Sequence, residues 1–279
     1  MFDQGKASSD PIVHAYGLNA WGIHQWYIGN IGEALRFLTE GDQIMLSDLA
    51  GREDNPVRHD LQLLMAGVLA EVTALHGDVE AARALLDKLE ADAGDAPYAV
   101  TISSAIAVRT AVLVGDPDWA LRAAERGIAV DPQFSFVILG TYQRLARCWA
   151  LAMTGQNPAG AAEEAERIIT ARLVDPPRSC VATWHGLLGE MRLMAGAPTA
   201  AAAALDRADH FLDTHGQRYS EGLILLLRAR VLQALGKPVT EVRAAAEWAR
   251  ELSAERGAHL FVRRTEQFLA ELDQQLADH

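Results

Sequence analysis

Asp206, Asp209, His210 and Asp213 stand at the three- and four-residue spacing that stacks side chains along one helix face, so the Asp206 carboxylate can meet the His210 imidazole. Carboxylates and imidazole are metal-ligand types. A buried metal would need them turned inward, yet Leu205, Ala208 and Leu212 form the inward stripe of the same stretch. The four polar residues therefore read as a solvated face and not as a metal site. His24, beside Trp21 and Trp26, reads as a core or surface histidine. Cys148 and Cys180 are the only cysteines, sit among apolar residues and lack neighbouring histidines, so they read as buried thiols and not as zinc ligands. The chain has no Gly-x-Ser-x-Gly, no His-Glu-x-x-His and no glycine-rich dinucleotide fingerprint. Nor has it a Gly-x-x-x-x-Gly-Lys-Ser/Thr phosphate loop; Gly5-Lys6-Ala7-Ser8 lacks the upstream glycine and strand. No catalytic residue, metal or cofactor is expected.

The elements that would carry any site are set by a recurring turn. Leu75-His76-Gly77-Asp78-Val79-Glu80-Ala81-Ala82 reads as a helix end, a two-residue turn and a new helix. Gly77 can take the left-handed conformation that ends a helix, and Asp78 can accept from the free N–H groups of the next one. Variants occur at Gly29, Gly115 and Gly196, with looser copies at Gly155 and Gly236. Successive glycines lie 48, 38, 40, 41 and 40 residues apart. A steady period near 40 marks a helical-repeat array.

Composition agrees. Alanine and leucine dominate, β-branched runs are scarce, and half of the 279 residues are hydrophobic. No apolar run approaches the roughly 18 residues that a membrane span needs, and the N-terminus lacks the apolar core of a signal peptide. The net charge of −12 repels phosphate backbones, so no direct nucleic-acid contact is expected of this segment. Buried thiols and no span fit a cytoplasmic setting.

Residues 1–9 read as a disordered lead and 10–279 as one repeat domain. Asp10-Pro11 is a helix start. Six helix pairs are expected: to Ile28 and from Asn30 to Leu49; around Leu61–Leu75 and Val79–Leu89; Tyr98–Val114 and Asp116–Val130; Phe134–Thr154 and Pro158–Leu173; Ser179–Ala195 and Thr199–Thr214; Tyr219–Leu235 and Thr240–Arg256. The polar Gly51–Pro56 connection stretches the first period. A last helix over Ala258–Ala277 carries Phe261, Phe268, Leu269, Leu272 and Leu276 on one side and Arg263, Arg264, Glu266, Glu271 and Asp273 largely on the other, as a terminal cap with one wet face should.

These residues resemble tetratricopeptide repeats. The family's small residue seven positions before the turn glycine corresponds to Gly22, Ala70, Val108, Cys148, Gly189 and Ala229. Its alanine five positions after the glycine matches Ala34, Ala82, Ala120 and Ala201 but fails at Gly160 and Glu241, where the turns look longer. The period also exceeds the family's 34 residues. Trp184-His185-Gly186-Leu187-Leu188-Gly189-Glu190, His215-Gly216-Gln217-Arg218-Tyr219 and Glu255-Arg256-Gly257-Ala258 resemble the C-terminal repeat region of bacterial LuxR-type and STAND ATPase regulators and their cyclase-fused relatives. The resemblance implies an all-α, right-handed superhelical solenoid of about six antiparallel helix pairs plus a C-terminal capping helix. It implies a non-enzymatic sensor or protein-interaction domain of a bacterial signalling or transcription regulator. The partner would be a protein, a peptide or a small-molecule inducer, with self-association into a homo-oligomer also compatible. The alternative is a self-contained solenoid that binds a small molecule or peptide in its groove. In the family, the position six before each turn glycine points to the concave surface. Here that row is Ile23, Glu71, Arg109, Trp149, Glu190 and Arg230. It reads either as a ladder of inter-repeat salt bridges or as a ligand groove with Trp149 and Tyr142 as apolar anchors.

Overall fold

The computed structural model describes Gly5 and residues 8–49 and 56–277, with backbone alone over 46–49 and 56–61. Most of the expected lead over residues 1–9, and the connection from Gly51 to Asn55, lie outside the described residues. The described residues form thirteen α-helices and no strand, so the chain is all-α. In order they are α1 (Pro11–Tyr27), α2 (Ile31–Leu49), α3 (Pro56–His76), α4 (Val79–Ala93), α5 (Pro97–Val114), α6 (Pro117–Val130) and α7 (Val137–Met153). There follow α8 (Pro158–Arg172), α9 (Val181–Met194), α10 (Pro198–His215), α11 (Glu221–Ala234), α12 (Val239–Glu255) and α13 (His259–Ala277).

The turns have the chemistry that their residues dictate. At Gly77 φ is +113°, the Asp78 amide donates back to Thr73 O at 3.1 Å, and Gly77 N donates to Ala74 O at 2.9 Å. The Asp78 carboxylate accepts from Ala81 N at 2.9 Å and caps α4. All six turn glycines have positive φ. The two loose copies differ by one residue of turn. After Gly155, Asn157 caps Gly160 N, and Ala161 is the buried residue facing the preceding helix; after Gly236 that residue is Val242. At the other turns the same place is held by Ala34, Ala82, Ala120 and Ala201, all fully buried. Helix α7 starts later than Phe134 because the Asp131 carboxylate takes the Ser135 and Phe136 amides, each at 2.8 Å, and holds them outside the helix.

Packing follows a simple rule. Each helix packs on its sequence neighbour, and the odd-numbered helices also pack on one another in series, which makes them an inner layer. One core cluster runs from Trp26 and Ile31 through Trp149 and Trp184 to Leu260 and Phe261. Helix α5 is long and apolar enough to cross a membrane, contrary to the expectation that no apolar run has that length, but about four-fifths of it is buried within the fold. It is the only such helix among the described residues.

The two ends of the chain meet. Arg218 N donates to Tyr27 O at 2.7 Å, the Tyr27 hydroxyl donates to His215 O at 2.9 Å, and Ile31 N donates to Arg256 O at 2.9 Å. Helix α13 crosses the ends of α3 and α5, where Arg263 donates to Gly77 O and Arg264 to Leu113 O. Arg264 was expected on the wet face of a cap. It lies inside instead, because the partner of that face is the front half of the chain.

A side chain at Gly77 would meet both the left-handed backbone and Arg263, whose guanidinium lies 2.7 Å from the built Cβ position; at Gly196 nothing lies within 4 Å. Gly77→Val should therefore destabilise the fold by about 1 kcal/mol or more. Gly77→Asn should cost less, and Gly77→Ala should cost more than Gly196→Ala. Thermal melts followed by circular dichroism check this order, and equal melting points for all the variants would contradict the assigned turn.

Candidate functional site

The inner layer brings most of the predicted row together, but as a sealed seam and not as an open groove. Glu71, on α3, is 1% exposed. Its carboxylate accepts from Trp26 Nε1 on α1 at 3.0 Å and from Arg109 on α5 at 2.8 and 3.1 Å. Burial pushes the Glu71 carboxyl above the usual carboxylate range, against the pull of Arg109 and the Trp26 and Arg109 hydrogen bonds. The Arg109 guanidinium lies over the Trp26 and Tyr142 rings, 5.5 and 5.9 Å from their centroids. Tyr142 donates to Ser179 O at 2.9 Å, and Trp26 stacks on Tyr219 at 4.5 Å. Thr183 Oγ1 completes this centre by donating to the Tyr219 hydroxyl at 2.6 Å and lying 2.8 Å from Ser220 Oγ.

A second centre lies further along the layer. Trp149, also 1% exposed, donates from Nε1 to Glu190 at 2.8 Å. The other Glu190 oxygen lies 3.7 Å from Arg264. Arg230 is half-buried near Arg264, lies over the Phe268 ring at 5.8 Å, and has a buried Nε without a partner. Ile23 packs half-buried against the main core. The row thus pairs Glu71 with Arg109 and Trp149 with Glu190, places Tyr142 over Arg109, and leaves Arg230 and Ile23 outside these pairs. The expectation of an accessible groove anchored on Trp149 and Tyr142 is corrected here. Both rings are buried, Trp149 against Glu190 and Tyr142 against Arg109, Ser179 and Trp184.

Trp26, Thr183, Tyr219 and Arg264 belong to these centres and were not in the predicted row. Burial raises the Cys180 thiol above its ordinary pKa and the Tyr219 hydroxyl well above its own, the opposite of what activates a nucleophile. On the outside, Asp206 and Asp209 are both taken by Arg228, at 3.1 Å and at a shorter contact, while His210 sits edge-on to Phe211. Among the described residues, no group of three or more His, Cys, Asp or Glu side chains is placed to hold a metal. His185, 2% exposed, stacks on Phe211 at 5.4 Å with both ring nitrogens buried and unpartnered. Burial lowers its pKa to about 4; Arg207 and Arg192 add to that effect, and Glu166 opposes it.

The chain matches no protein-family model, no curated protein and no solved structure. Two outcomes follow from the geometry of the seam itself. Arg109→Ala leaves Glu71 charged, buried and unpaired, and should destabilise by about 3 kcal/mol or more. Adding Glu71→Leu should recover most of that loss in a denaturant-melt cycle, whereas simple additivity would contradict the pairing. His185 titrates lower in the folded chain than in the unfolded one. Its contribution is therefore complete at neutral pH and is lost as pH falls from about 6.5 towards 4, reaching roughly 2 kcal/mol by pH 5. Replacing it with leucine should flatten the stability profile over that window, as measured by melts in matched buffers.

Proposed function

We propose that the chain is a non-enzymatic helical-repeat sensor or protein-interaction domain, built as a right-handed, tetratricopeptide-like solenoid of six helix pairs with α13 as its cap, and part of a bacterial signalling or transcription regulator. One observation carries this reading. Residues from one register position, six before the turn glycine, pair between neighbouring inner helices as Glu71 with Arg109 and Trp149 with Glu190, and Trp26 and Arg264, from outside that register, extend these pairs towards the front and the back of the chain. An array coupled in this way passes a displacement at one end to the other. That property suits a domain that reports the binding of a partner to a neighbouring module.

A second reading, a self-contained solenoid that binds a small molecule or peptide, is favoured by a different observation. A cavity of about 360 Å³ lies between α2, α3 and α4. Its size falls within the range of small-molecule sites.

The sensor reading is tested by drawing the tagged full chain from a bacterial lysate and weighing what it holds by native mass spectrometry. The expected result is one protein in stoichiometric amount that carries an ATPase, DNA-binding or cyclase module. Turnover by the purified chain across a panel of hydrolase substrates, with no such protein bound, would overturn it.

A further inference from the structure

Successive outer helices leave gaps above the inner layer. The gap between α4 and α6 holds a cavity of about 310 Å³, whose charged groups are satisfied by the Arg126–Glu90 and Arg83–Asp116 ion pairs across it. The gap between α8 and α10 is bridged by Arg207–Glu166. The first gap, between α2 and α4, has the same ingredients but no bridge. Asp42 on α2 and Lys88 on α4 both line it, and they do not come within ion-pair distance of each other. What remains is the 360 Å³ cavity, floored by Met45, Leu63 and Leu69, with Asp42, Gln62 and Lys88 at its mouth.

The polar groups at this mouth are left wanting. Asp42 is half-buried in a largely apolar wall and has no hydrogen-bond donor among the described residues. Burial raises its pKa, and Lys88 only partly offsets this. A carboxylate in that position has lost water and gained nothing in return. Gln62 Nε2, on α3, is likewise buried without a partner. Asp92 adds a second exposed carboxylate to the wall, against the single exposed ammonium of Lys88. The mouth is therefore net negative, on a chain whose net charge is −12.

We propose that this cavity binds a small cationic amphiphile: an apolar body over Met45, Leu63 and Leu69, an ammonium against Asp42, and an oxygen acceptor near the ammonium to take the Gln62 amide. An ammonium restores the Asp42 charge pairing that the missing α2–α4 bridge does not supply. An anionic head would meet two carboxylates. The apolar floor supplies the affinity common to any amphiphile of this length, and Asp42 supplies the discrimination. The inference rests on the small-molecule reading above and is independent of the regulator reading.

The test uses the full chain and three probes of equal length, octylamine, octanol and octanoate, in isothermal titration at neutral pH. Octylamine should bind one to one and about tenfold or more tighter than octanoate, with octanol between them. Asp42→Asn should erase the preference for the amine while leaving octanol binding unchanged. Ala66→Phe, which fills the cavity from α3, should remove the binding of all three probes, with the helix content of the protein preserved. Equal affinity for octanoate, an undiminished amine preference in Asp42→Asn, or unchanged binding in a folded Ala66→Phe variant would each overturn the proposal. Such a failure leaves the co-purification experiment intact, because that experiment reports protein partners bound anywhere on the surface.

Discussion

The rest of the structure depends on one buried carboxylate. Glu71 is shut away from water, and an unpaired charge there would cost several kcal/mol. It is tolerated because its donors come from both sides, the Trp26 indole on α1 and the Arg109 guanidinium on α5. The three inner helices are therefore held in one register by a single charge. The constraint then spreads outward. Trp26, fixed by its bond to Glu71, presents its face to Tyr219, which belongs to the connection entering α11. A residue near the start of the chain and one nearly two hundred positions later thus share the environment of the same ion pair. Opening the array would expose that pair and break the stack together.

The second acid shows how much the donors matter. Glu190 also has an indole donor, Trp149, but its nearest guanidinium, Arg264, is 3.7 Å away and divides its bonding with Leu113 O. Arg230 stands close enough to depress the Arg264 pKa, after burial itself, and keeps an unpartnered Nε. This centre therefore holds one acid and two bases where the first holds a matched pair. Its indole donor comes from α7, and its nearest guanidinium comes from α13, the element that packs back on the front of the chain. The seam is tight where it organises the early repeats and looser where the last helix docks.

What could be read in the residues divides by range. The turn at Gly77 was legible because its causes are local: a glycine free to take positive φ and an aspartate that caps the next helix. The register of the inner row was legible for the same reason, since it is counted from the turn. Its burial was not. Trp149 is buried against Glu190, a residue 41 positions further along the chain, and a contact of that range is not counted from the turn. Arg264 shows the limit most clearly. Its side of α13 looks polar in sequence and would face water if the helix only capped the sixth pair. It faces Glu190 because the front of the chain has come round to meet it. The displaced alanine position after Gly155 and Gly236 failed for a smaller reason, a turn one residue longer, and Ala161 and Val242 fill the place instead.

A filled interior changes where recognition can happen. The side chains of the inner layer are largely spent on one another. Unpartnered polar atoms remain on the inner helices, at His185, Arg230 and Gln62 among others, and Gln62 also lines the cavity between α2 and α4. Arginine is long enough to cross such a gap and planar enough to pair with a carboxylate on the far side, and the chain uses it to do so between α4 and α6 and between α8 and α10. Between α2 and α4 the base is Lys88, a single ammonium that stays in solvent, and the acid is left in an apolar wall. Pairing arginine with acid in one gap and lysine with acid in another is a small difference in sequence. It separates a gap whose charges the protein pairs for itself from one whose carboxylate it leaves for something else to pair.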